Sequence, residues 1–261
     1  METSASPGRF WRWLLPVAVT ACLYVNYLYN AHPPQGALSN GAMSARHPTL
    51  LTPAGYAFSI WGVIFSGLVA YTVWQLRPKA WQTPLPGRLT PVLTLAVLAT
   101  TCWTLAFSYG HIGLSLIVML TILALLAVAY ARARPVVLSG ASPAWPTWFL
   151  SLYLGWIMLA TVLNVIFGLR DALGWQLPAS AVLPSNLLLA AVAAAIALLL
   201  AWRARDPLLP LPVAWGLVGT WVAQHGPLPD VVFTGMGAGL VAALTMPMTA
   251  WVMNRRPRRT A

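Results

Sequence analysis

The chain has 261 residues, of which 59 % are hydrophobic and only 7 % are charged, whereas soluble domains carry about 25 % charged residues. So few charges cannot cover a surface that faces water, which excludes a soluble globular protein. The formal net charge is +11, but the basic residues stand in short clusters between apolar runs. This pattern favours anionic lipid headgroups over nucleic acid as the partner.

Apolar runs of the length that crosses a bilayer, about 20 residues, recur along the whole chain. They predict spanning helices at 10–30, 54–76, 90–109, 112–131, 145–168, 181–202, 208–224 and 229–254. The seventh run is short and begins with Pro210 and Pro212. The predicted fold is an all-α polytopic membrane bundle with about eight transmembrane helices.

The linker between the first two runs, residues 31–53, contains four prolines and no helical period. It is too long for a simple connection, and we expect it to form an ordered cap over the bundle rather than another span. We call this segment the lid.

The distribution of basic residues predicts how the bundle is oriented. With the N-terminus in the cytoplasm, all 15 Lys and Arg except Arg46 and Arg170 fall on the cytoplasmic side. The positive-inside rule therefore predicts that both termini are cytoplasmic and that the lid lies on the outer face. We expect the membrane to be a bacterial inner membrane.

The predicted spans carry no Asp, Glu, Lys or Arg near their middles. Proton-driven carriers usually keep an ionisable residue at membrane depth, so this pattern disfavours a pump. The histidines and the two cysteines show no metal-ligand spacing. We therefore predict neither a catalytic residue nor a metal site.

Aromatic and small residues instead mark one face on each of two helices. They are Phe58, Trp61 and Phe65 on the second, and Tyr153, Trp156, Ala160 and Asn164 on the fifth. Two aromatic faces that meet across a gap would suit a flat apolar ligand. Taken alone, ordinary helix packing is the simpler interpretation, and the polar Asn164 needs a hydrogen-bond partner in either case.

Two further patterns each have two interpretations. The last predicted helix carries Gly235, Gly239 and Ala243 at four-residue spacing, which allows close approach of another helix. That helix could belong to the same chain, which we favour, or to a second copy in a homodimer. All four histidines, together with Arg46 and Arg170, fall on the outer side. They are either a mouth for an anionic or metal-bearing ligand, or polar residues that end helices, which is the simpler interpretation.

Three segments carry a family resemblance. They are Pro33-Pro34 with the run Pro53–Phe65, the run Cys102–Gly110, and Tyr153-x-x-Trp156-x-x-x-Ala160-x-x-x-Asn164. Residues 10–170 thereby resemble the tryptophan-rich sensory protein/translocator protein (TspO) family, and the chain holds 14 Trp. It departs from the family pattern at Phe65, where Tyr is usual, and at Thr100, where Asn is usual.

The resemblance implies a five-helix core, residues 1–178, with a ligand pocket beneath the lid. Residues 179–261 would then add three helices and a basic tail. The resemblance implies pocket residues Trp61, Phe65, Phe58, Trp103, Tyr153, Trp156, Ala160 and Asn164. It implies mouth residues His32, Pro33, Pro34, Arg46 and His47.

By the same resemblance, the expected function is that of a membrane receptor for a flat apolar ligand, either a tetrapyrrole or a sterol-like molecule. No cofactor is required, and porphyrin or haem would be the ligand. A transporter of small lipophilic or tetrapyrrole substrates is the main alternative. A porphyrin-degrading enzyme and a structural assembly protein are the others.

Overall fold

The computed structural model describes residues 7–224, and this part of the chain is helical and contains no β-strand. Its helices are α1 (Pro7–Ala31), α2 (Asn40–Arg46), α3 (Ile60–Gln75), α4 (Leu85–Ser108), α5 (Ile112–Leu138), α6 (Trp148–Phe167), α7 (Ala179–Ala204) and α8 (Leu211–Ala223). Short 3₁₀ turns precede three of them, at Gly55–Ser59, Pro78–Gln82 and Trp145–Thr147, and a π turn at Gly168–Ala172 follows α6. The predicted all-α polytopic membrane bundle is confirmed.

Within the described residues, six helices are long and apolar enough to cross a membrane. They are α1, α3 with its preceding turn, α4, α5, α6 and α7, which correspond to the first six predicted spans. The predicted seventh span, 208–224, contains α8, which has 13 residues. At 1.5 Å per residue α8 is about 20 Å long, shorter than the hydrocarbon core of about 30 Å.

The region after α8 includes other predicted features. The eighth span at 229–254, with Gly235, Gly239 and Ala243, and the basic tail all lie outside the described residues.

The centre of the bundle is formed by α4 and α6. The most apolar stretch of each is 61 % buried, against 17 % for α7, which is therefore peripheral. Helix α4 packs against α1 and α5, whereas α6 packs against α3, α5 and α8. The exposed surfaces of α7 are apolar, for example at Leu188 and Val192, as lipid contact requires.

The lid folds over the end of the bundle where α1 ends and α6 ends. Ser39 caps α2 by accepting a hydrogen bond from the Ala42 amide at 3.2 Å. The Leu38 amide donates to the Ser108 carbonyl at 2.9 Å, and the Asn40 amide donates to Asn30 Oδ1 at 3.0 Å. The lid is therefore tied by its backbone to both α1 and α4.

A buried carboxylate positions the start of α8 at the opposite end of the bundle. Asp206 is 3 % exposed, and its Oδ2 accepts hydrogen bonds from Tyr130 Oη at 2.8 Å and Ser151 Oγ at 2.6 Å. Its Oδ1 accepts from the Leu208 amide at 3.1 Å, and Arg134 Nη1 lies 4.0 Å from Oδ2. The cluster joins α5 and α6 to the α7–α8 connection. The division of the chain at residue 178 stays a prediction.

Replacing Asp206 with Ala should therefore destabilise the whole fold. The change leaves two buried hydroxyls without an acceptor and Arg134 without its counter-charge, so we expect the free energy of unfolding to fall by about 3 kcal/mol. Tyr130→Phe removes one hydrogen bond and should cost about 1 kcal/mol. Thermal unfolding of the purified protein in detergent checks this order, and equal effects of the two variants would contradict it.

Candidate functional site

A small cavity lies beneath the lid, between α4 and α6. Its volume is about 20 Å³, room for about one water molecule. The lining residues are Ser44, Pro53, Phe58, Trp103, Phe107, Trp156, Leu159, Ala160, Leu163, Asn164 and Phe167. We call it the aromatic cavity. No charged side chain lines it.

Five of the predicted pocket residues line this cavity. They are Phe58, Trp103, Trp156, Ala160 and Asn164. Sequence reasoning missed the other six lining residues, which are Ser44, Pro53, Phe107, Leu159, Leu163 and Phe167. For three of them a signal existed. Phe107 is one helical turn from Trp103, and Leu163 and Phe167 continue the face of Trp156 and Ala160 at helical spacing.

The other three predicted pocket residues form an adjoining aromatic cluster closer to the centre of the bundle. Trp61 stacks on Phe65 with ring centroids 5.1 Å apart, and it meets Tyr153 edge-on at 5.6 Å. The Tyr153 hydroxyl bonds to the Thr100 hydroxyl. Trp61 and Tyr153 are buried and therefore do not face lipid, and none of the three residues lines the aromatic cavity.

The rings in the cavity wall are nearly parallel. Trp103 and Phe107 stack with centroids 4.9 Å apart and planes 15° apart, and Phe167 lies 6.5 Å from Phe107 at 10°. Across the cavity, Phe58 and Trp156 meet edge-on at 5.9 Å. Such a wall presents flat faces against which another planar ring system could stack.

The buried Asn164 holds this wall in position. Its Oδ1 accepts hydrogen bonds from Trp103 Nε1 and Ser115 Oγ, both at 3.3 Å, and its Nδ2 donates to the Ala160 carbonyl at 2.9 Å. The side chain therefore joins α4, α5 and α6. It fixes the orientation of the Trp103 ring, and its carbonyl oxygen is already fully used.

Among the predicted mouth residues, His47 is the one that approaches the cavity. Its ring lies 5.5 Å from Phe167, and its Nδ1 lies 2.6 Å from Asp171 Oδ2. Arg170 Nη1 also donates to the Pro48 carbonyl at 2.9 Å. These contacts connect one edge of the lid to the end of α6.

The remaining mouth residues lie farther out on the lid. His32, Pro33 and Arg46 are exposed, and Pro34 is half-buried. His32 contacts Tyr27 of α1, with Nε2 and the hydroxyl oxygen 3.4 Å apart.

The opposite edge of the lid is held by α8, an element for which the sequence suggested no role. Gln224 Nε2 donates a hydrogen bond to the Thr49 carbonyl at 3.2 Å, and Thr220 Oγ1 donates one to the Leu51 carbonyl at 2.9 Å. Directly after the lid, the Ala54 amide donates to the Gly219 carbonyl at 3.0 Å, and Trp215 Nε1 donates to the Ala57 carbonyl at 2.9 Å. This row of bonds makes α8 the outer support of the cavity.

Two glycines allow α8 to approach so closely. A Cβ on Gly219 would lie 2.8 Å from Ala57 Cβ, and a Cβ on Gly216 would lie 2.0 Å from Leu159 Cδ2 and 3.4 Å from the Trp156 ring. Since Leu159 and Trp156 line the cavity, a side chain at position 216 would push on its wall.

The chain was compared with protein-family models, with curated proteins and with solved structures. The model of the family described as TSPO-like protein matches residues 12–248, which confirms the resemblance drawn from the sequence. The match begins in α1 and extends past α8, so it includes the helices after residue 178. No curated protein and no solved structure matches the chain.

Gly216→Ala should displace α8 and loosen the lid, because the added methyl group overlaps Leu159. We expect a clear loss of thermal stability, of about 1–3 kcal/mol in the free energy of unfolding. Gly62→Ala is the matched control, since a Cβ at that position of α3 meets nothing within 4 Å. It should be neutral or slightly stabilising. Equal unfolding midpoints for the two variants would contradict the proposed fit of α8.

Proposed function

Because this chain belongs to the TSPO-like protein family, we propose that it binds a flat apolar ligand in the aromatic cavity beneath the lid. The chain is an integral membrane protein, and we propose tetrapyrroles, with sterol-like molecules second, as the ligand class. The observation that carries the proposal is the set of near-parallel rings formed by Trp103, Phe107 and Phe167.

The chemistry of the lining supports an apolar ligand. Ligand sites are usually apolar and aromatic with a few placed polar groups, and here Asn164 and Ser44 are the polar members of the lining. A macrocycle with acidic side arms would bury its ring against the aromatic wall. Its carboxylates would then reach Arg46, which is exposed on the lid, and would compete with Asp171 for Arg170, whose Nε lies 2.9 Å from Asp171 Oδ1.

The cavity volume requires that the lid moves for binding. About 20 Å³ is far below the roughly 300–1,000 Å³ of pockets for drug-sized ligands, so the described conformation is the closed one. The edge at His47 and Asp171 is partly exposed and polar, and such contacts contribute about 0–1 kcal/mol each. The edge held by α8 is better buried. We therefore propose that the lid opens at His47 and hinges along α8.

Packing below the cavity favours binding over transport. Tyr153 and Leu150 are fully buried, and Trp61 and Thr100 fill the space between α3, α4 and α6. In the described part of the chain, a ligand that enters under the lid meets packed side chains rather than a second exit.

The proposed orientation has the lid on the outer face and both termini in the cytoplasm of a bacterium. Its support is the charge asymmetry, with Arg46 and Arg170 as the lid-side exceptions.

Ligand binding is tested directly with protoporphyrin and purified full-length protein, using the absorption shift of the porphyrin. Trp156→Leu removes an aromatic wall and Ala160→Phe fills the cavity, so each should weaken binding on the order of tenfold. Trp202→Leu is the control, because Trp202 lies on α7 and is 61 % exposed. Unchanged affinity in both cavity variants would refute the pocket assignment.

The lid mechanism is tested by the rate of binding. Asp171→Asn weakens the His47 contact, raises the population of the open lid, and should speed protoporphyrin association by up to about fivefold. His32→Asn changes an exposed lid histidine with no carboxylate contact and should leave the rate unchanged. Stopped-flow mixing measures both, and an unchanged rate for Asp171→Asn would argue against opening at this edge.

A further inference from the structure

A second cavity lies at the opposite end of the bundle from the lid. Its volume is about 310 Å³, and its lining residues are Trp74, Arg77, Lys79, Ala80, Thr83 and Pro143. Its walls come from the α3–α4 connection and the α5–α6 connection. We call it the basic cavity. Unlike the aromatic cavity, it is large enough for a small ligand as it stands.

The two cations of this cavity have no protein counter-charge within the described residues. Arg77 and Lys79 are both exposed, and neither forms an ion pair there. Residues 7–224 contain just two acidic side chains, Asp171 and Asp206. Asp171 lies at the lid end, and Asp206 is enclosed by Tyr130, Ser151 and the α7–α8 connection.

Tryptophans around the basic cavity indicate that it lies at the depth of lipid headgroups. Trp74 meets Trp145 edge-on at 6.2 Å, and Trp145 and Trp148 are 43 % and 56 % exposed. Trp81 donates its Nε1 hydrogen to the Gln75 carbonyl at 2.6 Å. Tryptophan is enriched where the hydrocarbon core meets the headgroups.

We propose that the basic cavity binds a phosphate-bearing anion, and that its ligand is the headgroup of an anionic phospholipid. The Arg77 guanidinium and the Lys79 ammonium offer charged donors to phosphate oxygens. Trp74, Ala80 and Pro143 provide an apolar wall against which the first carbons of the acyl chains would pack. Basic pockets on the cytoplasmic side of membrane bundles, where the proposed orientation puts this cavity, bind anionic lipid headgroups. This site is independent of the aromatic cavity and of its proposed ligand.

The test counts lipids that remain bound to the full-length protein. Protein is reconstituted in phosphatidylcholine vesicles that contain a minority of phosphatidylglycerol, extracted gently, and examined by native mass spectrometry. Wild type should retain phosphatidylglycerol in preference to phosphatidylcholine. Arg77→Gln with Lys79→Gln should reduce that retention on the order of tenfold.

Two double variants serve as controls. Arg132→Gln with Arg203→Gln removes the same charge from exposed positions at the same end that do not line the cavity, and retention should persist. Arg77→Lys with Lys79→Arg keeps both charges and should also retain the lipid. Equal loss in the two Gln double variants would overturn the proposal, because general surface charge would then explain retention.

Inorganic phosphate distinguishes the two sources of the anion. If added phosphate does not displace phosphatidylglycerol, the lipid itself is the ligand, as proposed. If phosphate displaces the lipid from wild type, the site still recognises phosphate but also accepts the free ion. If wild type shows no preference for phosphatidylglycerol and phosphate has no effect, the cavity is not an anion site and the proposal fails.

Discussion

The close contact between α8 and the lid is the constraint on which the aromatic cavity depends. Buried backbone groups must find hydrogen-bond partners in the protein, and residues 49–57, which comprise the end of the lid and the start of the turn before α3, find several of their partners on α8. That arrangement requires Gly216 and Gly219, since a larger residue would overlap Leu159 or Ala57. A helix that adds no predicted pocket residue thus holds the wall formed by Pro53, Trp156 and Leu159.

Three groups of polar side chains inside the bundle follow the same rule. Asn164 connects three helices by hydrogen bonds beside the aromatic cavity. The hydroxyls of Thr100 and Tyr153 are hydrogen-bonded to each other. At the opposite end of the bundle from the lid, Asp206 accepts hydrogen bonds from side-chain hydroxyls. Each group is buried and each is hydrogen-bonded. Together they fix the relative positions of α4, α5 and α6, and so they hold the rings nearly parallel.

Local sequence patterns predicted much of the fold and four of the eleven residues that line the cavity, and a fifth, Trp103, followed from the family resemblance. Long apolar runs identified the first six spans, because a helix in lipid must be apolar over its whole length. The spacing of Trp156, Ala160 and Asn164 placed these residues on one face, and the structure brings them to one cavity. Tyr153 shares that spacing but lies toward α4, where it meets Thr100.

Other features could not be read from local patterns. The pairing of Gly219 with Ala54 joins residues far apart in the chain, and no helical period encodes it. The small volume of the closed cavity depends on how side chains interlock. The basic cavity depends on two connections that meet only in the folded bundle.

The central claim is that a flat ligand occupies the aromatic cavity under a lid that opens at one edge. A structure of the full-length protein with protoporphyrin bound tests it most directly. We expect the macrocycle to lie parallel to Trp103 and Phe107, with His47 moved away from Asp171 and the bonds from α8 to Leu51 and Ala57 retained. Porphyrin bound elsewhere, with the lid closed and His47 still beside Asp171, would contradict the account.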